Sequence, residues 1–558
     1  MTAYFVDNAG SDSNSGLAGH PWQTCSKVTS FSASPGFAPG DTIAFTAGQT
    51  FAGPLIIVNS GSSGGGYICV GTGRGSTPPT LPSGGIPQSN PAIITIADGN
   101  ATGVAFNDCS YAWIDNISVV GSGVNHTTGV TTSTALGISF KSTQATTRLS
   151  NCIVTACSAS ECLDGIAFWV SDTTKVGFDT FKIWGCSTQY TQITSIAIIN
   201  YNYGNRFGAT QGTAKDTFTN AYIGYSTVDH CMGDTTDAPT WAGTSLLMWN
   251  TTTGLLEHCA SSNINPTRAG ADLTGPGGVQ TAYSDQVTFD TVESTTCHST
   301  FANSRYSDGE AFETDAGVTN FTMQYCYGHD CDGPGLLIGQ GTVRYCVLAN
   351  NMNKAAVTLI GNLPGELTQG VNQNGYSGAL VAYGNTIYAP RGDCYATEAS
   401  GSFGAPSLYN NILVCKAGSN CVNAGGTVTA LVGNCYFALG GGTISVKPSA
   451  TTYTSLTSLQ AANWEVSSGR NYGAFADPAL SNPGGAPATP AVIGGSFPTI
   501  TYFDITLSSP AAKLGFNVVG GVGTQDFHGN DPGSGGLYDA GAVEISANAA
   551  RHGLWMGR

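Results

Sequence analysis

Short segments that open on glycine or another small residue, and then alternate apolar and polar side chains, recur along this 558-residue chain. Examples are TGVAFND (102–108), LGISFKS (136–142), DGIAFWVSD (164–172), DGEAFETD (308–315) and DGPGLLIG (332–339). Each predicts one β-strand, because successive strand side chains point to opposite faces. Gly309 and Gly333 are 24 positions apart in the numbering. A repeat of about 20 to 30 residues with several short strands is typical of a β-solenoid.

Further strand segments follow within the same repeats, such as YAWIDNISVVG (111–121), QVTFDTVES (286–294), TNFTMQYCYGHDC (319–331) and GTVRYCVLANN (341–351). Several end in Cys, His or Asn, which predicts that like residues stack on like between coils. In a solenoid each coil is buried by its neighbours, so this long chain need not divide into several globular domains. The pattern therefore predicts an all-β solenoid.

The composition narrows the possible partners. The chain has 19 Lys and Arg against 35 Asp and Glu, a formal net charge of -16. With no basic run, nucleic acid is excluded as the expected partner, and a neutral or weakly charged polymer is favoured over a polyanion.

We expect no membrane span, because no run of 18 apolar residues occurs. The start MTAYFVDNAGSD has no signal-peptide pattern. The 17 cysteines are expected to be mostly buried small residues, with a few disulfides left open.

Three stretches carry a resemblance to a known family. They are YFVDNAGSDSNSGLAGHPWQT with PGDTIAFTAGQTFAGPL (39–55), DGEAFETDAGVTNFTMQYCYGHDCDGPGLLIG (308–339), and DITLSSPAAKLGFN (504–517) with DFHGNDPGSGGLYDAGAVEI (526–545). These resemble the first coil, a mid-helix pattern and the closing segment of right-handed parallel β-helix proteins of the pectate-lyase-like superfamily. The resemblance implies a right-handed parallel β-helix, with an N-terminal cap at 1–60, coils at 61–545 and a tail at 546–558.

The resemblance also sets the functional alternatives, because the superfamily includes hydrolases, lyases, epimerases and viral tailspikes on one scaffold. A polysaccharide or cell-surface glycan is the expected partner, in an extracellular or virion-associated setting. A phage tailspike or adhesin that binds glycan is an alternative, and would bring homotrimer or virion assembly. A hydrolase requires no cofactor, whereas a lyase would combine Ca²⁺ with an Arg or Lys base.

The acidic stretch DGEAFETDA contains the candidate catalytic residues. Aligned with DGIAFWVSD and DGPGLLIGQ, it places Glu310 on the inward register and Glu313 and Asp315 on the outward one. The Cα atoms of that outward pair would lie about 6.5 to 7 Å apart. Such a spacing suits the two carboxyl groups of a glycosidase. We expect these two residues to be the acid and the base or nucleophile.

Stacking between coils predicts a second acidic group. Asp308 would stack on Asp332, with His329 close by, and we expect these three residues to support catalysis, because adjacent carboxylates raise the pKa of one member. The alternative is structural, because Asp before Gly is a common turn residue and a histidine can simply stack at a turn. Glu310 would need a partner on its inward register.

Aromatic residues near the acids are candidate sugar platforms, because sugar C–H faces pack on rings. The predicted substrate-binding set is Trp169, Trp241, Trp249, Tyr283 and Arg305; packing in the core or in turns is the alternative for each aromatic. Since acids outnumber bases in this region, we expect hydrolysis of a polysaccharide ahead of elimination.

Overall fold

The computed structural model describes residues 1–73, 78, 88–96, 102–122, 136–172, 174–200, 217–232, 243–264, 277–298, 309–314, 317–351, 379–396, 404–424, 426–485, 498–518, 524–532 and 538–545. The chain forms two compact units, of which the first ends at Val287 and the second begins at Thr288. We call them unit 1 and unit 2. The strand Asp285–Asp290 contains the division and is given with unit 2.

Unit 1 is built from coils of three strands that pair in parallel with the same strands of the next coil. The strands of the first sheet are Ala3–Val6, Thr42–Phe45, Ile68–Gly71, Ala112–Asp115, Cys152–Thr155, Phe178–Trp184, Phe218–Gly224 and Thr251–Glu257, with Leu149–Ser150 pairing at its side. Those of the second are Thr50–Ala52, Ala92–Thr95, Ile117–Val120, Ser158–Ser160, Ser187–Thr191, Thr227–Cys231 and Ala260–Ile264. Those of the third are Leu55–Ile57, Thr102–Asn107, Leu136–Ser142, Asp164–Val170, Thr194–Ile199, Thr244–Trp249 and Gly277–Ala282.

Inward side chains of unit 1 stack in columns along the coil axis. Phe106, Phe140 and Phe168 occupy one register of the third sheet. Successive ring centroids are 4.6 Å apart, with interplanar angles of 5° and 10°. This spacing follows from the separation of about 4.8 Å between neighbouring strands. Repetition of one residue type at one register therefore fills the core coil by coil.

A helix, Cys25–Ala33, lies beside the first coils of unit 1. The Thr24 side chain caps it by accepting a hydrogen bond from the Lys27 amide, as expected of an N-cap threonine. The Ile56 amide donates to Thr29 Oγ1 at 3.0 Å, which fastens the strand Leu55–Ile57 to the helix. Cys25 and Val28 are buried on the inner helix face.

Unit 2 repeats the three-strand coil. Its first-sheet strands are Asp285–Asp290, Thr322–Gln324, Gly341–Arg344, Ala379–Tyr383, Gly404–Tyr409 and Ala430–Val432. The second-sheet strands are Glu293–Thr295, Tyr327–His329, Val347–Ala349, Thr386–Ala389, Ile412–Cys415, Cys435–Ala438 and Ala474–Phe475. The third-sheet strands are Phe312–Thr314 and Leu336–Leu337. Tyr395–Ala396, Val422–Asn423 and Val446–Lys447 pair separately in parallel, and Val466–Ser467 pairs with Arg470–Asn471 antiparallel. A 3₁₀ turn, Leu439–Gly441, and a helix, Leu456–Ala461, complete its elements.

A ladder of buried asparagines links successive coils of unit 2. Asn385 Nδ2 donates to Asn411 Oδ1 at 3.0 Å, and Asn411 Nδ2 donates to Asn434 Oδ1 at 3.0 Å. Asn434 Nδ2 then donates to Glu465 Oε1 at 2.8 Å, where the Tyr436 hydroxyl also donates at 2.6 Å. The ladder satisfies polar groups that the coils bury.

The predicted fold class is confirmed: the chain is an all-β, right-handed parallel β-helix. The cysteine prediction is confirmed as well, since all 17 are buried free thiols and none forms a disulfide. In the described part of the chain, no helix has the length and apolar character needed to cross a membrane. The predicted tail at 546–558 lies outside the described residues.

Candidate functional site

Aromatic side chains gather on the outer face of the third sheet in unit 1. Lys141 pairs with Trp169 in register, and Trp169 pairs with Ile199 on the next strand. Trp249 and Tyr283 pack in the same apolar cluster as Ile199, and Trp169 packs against it. The ring centroids of Trp249 and Tyr283 are 6.1 Å apart. We call Lys141, Trp169, Trp249 and Tyr283 the aromatic platform.

The platform members differ in exposure. Trp249 is 3% exposed, so its ring packs within the cluster. Trp169 and Tyr283 are partly exposed. Lys141 Nζ lies 4.9 Å from the centroid of a Trp169 ring, which is a cation–π distance. The part of the platform that a ligand can reach is therefore centred on Trp169 and Tyr283, with one positive charge beside it.

The acidic stretch lies on the third sheet of unit 2. Phe312 pairs with Leu336 and Glu313 with Leu337, which is the register that the sequence alignment predicted. Glu313 is partly exposed, whereas Glu310 is 1% exposed. Glu313 is thus a carboxylate that a ligand on the outer face can reach.

A histidine and an aspartate meet where the second-sheet strands of unit 2 lead toward the third sheet. His298 Nδ1 lies 3.4 Å from Asp332 Oδ2. The Asp332 side chain is 1% exposed and that of His298 is 23% exposed. Asp332 is anchored by its amide, which donates to the Cys297 carbonyl at 2.8 Å. The pair can orient an imidazole toward solvent, an arrangement suited to proton transfer.

His329 has a different environment from His298. Its Nε2 is 3.0 Å from Glu293 Oε1, its Nδ1 is 2.7 Å from Asp330 Oδ2, and its ring stacks on Tyr327 with centroids 4.0 Å apart. Burial lowers the pKa of His329, but the hydrogen bonds to Asp330 and Glu293 outweigh burial and the net shift is upward. With a 3% exposed side chain, His329 is a buried link between two acidic side chains.

Four of the predicted site residues lie outside the described residues: Asp308, Asp315, Trp241 and Arg305. Of the others, Trp169, Trp249 and Tyr283 come together in unit 1. In unit 2 the structure places Asp332 with His298, and His329 with Glu293 and Asp330.

His298 and Glu293 were not among the predicted site residues. Thr295 and His329 pair in register with a separation of 34 positions. The same separation joins His298 to Asp332 in the sequence. Adding these 34 positions to the number of each titratable residue in the sequence would have found this pair. Within the described residues, no group of three or more His, Cys, Asp or Glu side chains is placed to hold a metal ion.

No family model and no curated protein matches the chain. Among solved structures it is similar to the GH136 lacto-N-biosidase from Eubacterium ramulus, with 15% identity over 68% of this chain and 64% of that chain, at a TM-score of 0.46. It is also similar to XylC in complex with xylose (10% identity, 86% and 87% coverage, TM-score 0.43) and to pectate lyase Pel9A (12% identity, 98% and 97% coverage, TM-score 0.37). The chain thus spans 64% of the length of the lacto-N-biosidase. Support for a particular reaction therefore comes from the side chains of this chain.

Proposed function

We propose that the chain is a carbohydrate-active enzyme that cleaves a neutral or weakly charged glycan, with hydrolysis favoured over elimination. The observation that carries the proposal is the aromatic platform, in which the partly exposed rings of Trp169 and Tyr283 lie on the outer face of a parallel sheet. Sugar rings present apolar C–H faces that pack on such side chains. The net charge of -16 disfavours a polyanionic substrate.

The chemistry is assigned to side chains of unit 2. Glycoside hydrolysis needs one carboxyl group to protonate the leaving oxygen and a second group to activate water or attack carbon. Glu313 is the partly exposed carboxylate on the outer face, and we assign it one of these roles. We assign the other role to Asp315, which the sequence predicts as the partner of Glu313. His298, oriented by Asp332, is a further proton acceptor for the attacking water.

Elimination is the second candidate, and Lys141 on the platform favours it. A lyase needs a base to remove the proton next to a uronate carboxylate, and a nearby positive charge stabilises the anion that forms. The two reactions leave different products: hydrolysis releases a saturated reducing end, whereas elimination releases an unsaturated uronate that absorbs ultraviolet light.

The test is a panel of neutral and uronate-containing polysaccharides, with products identified by mass spectrometry. Glu313→Gln is expected to lower kcat by a factor of about 100 or more, because a lost acid or base contributes about 10² to 10⁴. Asp172→Asn, which changes a turn carboxylate with 43% side-chain exposure, is the control and should keep full activity.

The outcomes separate the candidates. Unchanged turnover in Glu313→Gln would contradict the acid–base assignment. Unsaturated products would identify a lyase. Glycan binding without any product would identify a binding protein of the tailspike or adhesin kind.

A further inference from the structure

A cavity of about 230 Å³ opens on the outer face of the first sheet in unit 1. It spans the first four strands of that sheet, Ala3–Val6 to Ala112–Asp115, and does not include any residue of the aromatic platform. From the first of these strands to the fourth is three strand spacings, or about 14 Å. The cavity is smaller than a typical drug-sized site of about 300 to 1,000 Å³, and suits a single ring.

The register of the sheet explains why a depression forms here. Phe5, Ala44, Gly71 and Asp115 pair in one row across the four strands. The middle of the row carries small residues, while an aromatic ring and a carboxylate stand at its ends. An added Cβ at Gly71 would collide with the carbonyl oxygen of Asp115, so the floor of the cavity cannot be raised at that position.

A second row, two residues earlier on each strand, has small or medium side chains at three positions and a large one only at its last. It runs from Ala3 through Thr42 and Cys69 to Trp113. Trp113 and Asp115 therefore project from the same face of one strand and form one wall of the cavity. Phe5, which is 37% exposed, lies on the first strand, Ala3–Val6, at the other end of the cavity.

The wall at Trp113 and Asp115 is held in place from the next coil. Trp113 Nε1 donates to Thr155 Oγ1 at 2.7 Å, and Thr155 Oγ1 donates to Asp115 Oδ1 at 2.7 Å. Trp113 is 2% exposed and Asp115 is 4% exposed. Since both side chains are fixed before any ligand arrives, little conformational entropy is lost when one binds.

We propose that this cavity is a second carbohydrate site that binds one neutral sugar ring. Phe5 supplies apolar surface for the C–H face of the ring and the partly exposed Thr42 offers a hydroxyl, while the buried Trp113 and Asp115 hold the far wall in place. The net charge of -16 disfavours a uronate in this cavity. The proposal does not rest on the proposed function, because the site can hold a sugar whether or not the chain cleaves glycan.

The test measures binding alone. Saturation-transfer NMR titrations on the full chain would use D-glucose, D-galactose and N-acetyl-D-glucosamine as neutral probes and D-glucuronate as the charged one. At least one neutral sugar should bind, and glucuronate should bind at least about tenfold more weakly. Ala44→Phe, which fills the cavity from a partly exposed position, should abolish this signal. Phe5→Ala should weaken binding about tenfold.

Two controls separate this site from the platform and from the fold. Val58→Ala removes an apolar side chain that is 47% exposed elsewhere in unit 1, and should leave binding unchanged. If Trp169→Ala removes the signal while Ala44→Phe and Phe5→Ala do not, the sugar binds at the platform and the cavity proposal is wrong. The proposal also fails if no neutral sugar binds, or if glucuronate binds as tightly as the neutral sugars.

Discussion

The carboxyl group of Glu465 should make the stability of unit 2 depend on pH. Its side chain ends the asparagine ladder and is fully buried. It accepts hydrogen bonds from the Gly433 amide at 2.5 Å, from Asn434 Nδ2 at 2.8 Å and from the Tyr436 hydroxyl at 2.6 Å. Burial raises the pKa of Glu465 from 4.5 to about 7, and these hydrogen bonds limit the rise.

The sign follows from which state binds the proton more tightly. Because the folded pKa lies above the unfolded one, the carboxyl contributes stability that is fully present below about pH 4.5 and is lost as pH rises through about 7. Each pH unit between the two values corresponds to about 1.4 kcal/mol. The free energy of unfolding should therefore fall by about 3 kcal/mol between pH 4.5 and 8 through this one group.

The assay compares urea unfolding of the wild type and Glu465→Gln at several pH values from 4.5 to 8. Glutamine has a similar shape and does not titrate, so the difference between the two proteins isolates the carboxyl. Tyr436→Phe removes one donor to the carboxylate and should move the loss of stability to higher pH. A wild-type minus variant difference that stays constant with pH would refute the reasoning, as would a wild type that gains stability relative to the variant as pH rises.

Two further predictions concern unit 2. Because the net pKa shift of His329 is upward from 6.5, its contribution is complete below about pH 6.5 and is lost as pH rises through the folded pKa. His329→Gln should therefore reduce the decline of Tm as pH rises above about 6.5, and an unchanged slope would count against this role of His329. Asn411→Ala should lower the free energy of unfolding by about 3 to 5 kcal/mol, since it leaves several buried ladder groups without partners. The exposed Asn471→Ala should cost less than about 0.5 kcal/mol in the same denaturation experiment, and equal costs would contradict the ladder's role.

The strands were predictable because they depend on a local pattern repeated once per coil. The alignment of DGEAFETDA with DGPGLLIGQ placed Phe312 beside Leu336, and the structure has that pairing. It also placed Glu310 inward, where its exposure is 1%. A one-residue slip would exchange the inward and outward sets, so burial of one face specifies the register strongly.

The partners of the titratable groups were harder to predict, because coil lengths vary. The separation is 34 positions between His298 and Asp332, but 26 between Asn385 and Asn411 and 23 between Asn411 and Asn434. A single repeat length in the sequence therefore cannot align every column of stacked polar side chains. Glu465 lies outside the three-strand repeat altogether, so only the folded chain shows that it ends the ladder.

One structural position in unit 2 holds both buried cysteines, Cys326 and Cys346, and the asparagines of the ladder. In unit 2 each residue of this column follows a positive-φ residue that comes directly after a first-sheet strand: Cys326 follows Tyr325, and Cys346 follows Tyr345. The thiols donate back to carbonyls two residues earlier, at 3.2 and 3.3 Å, and Cys326 Sγ also lies 3.6 Å from the Phe289 carbonyl of the preceding coil. Asparagine, at Asn385 and beyond, donates to the next coil instead. Cysteine thus joins coils only through a weak thiol contact, whereas asparagine joins them through amide hydrogen bonds, so the ladder needs an acceptor such as Glu465 where it ends.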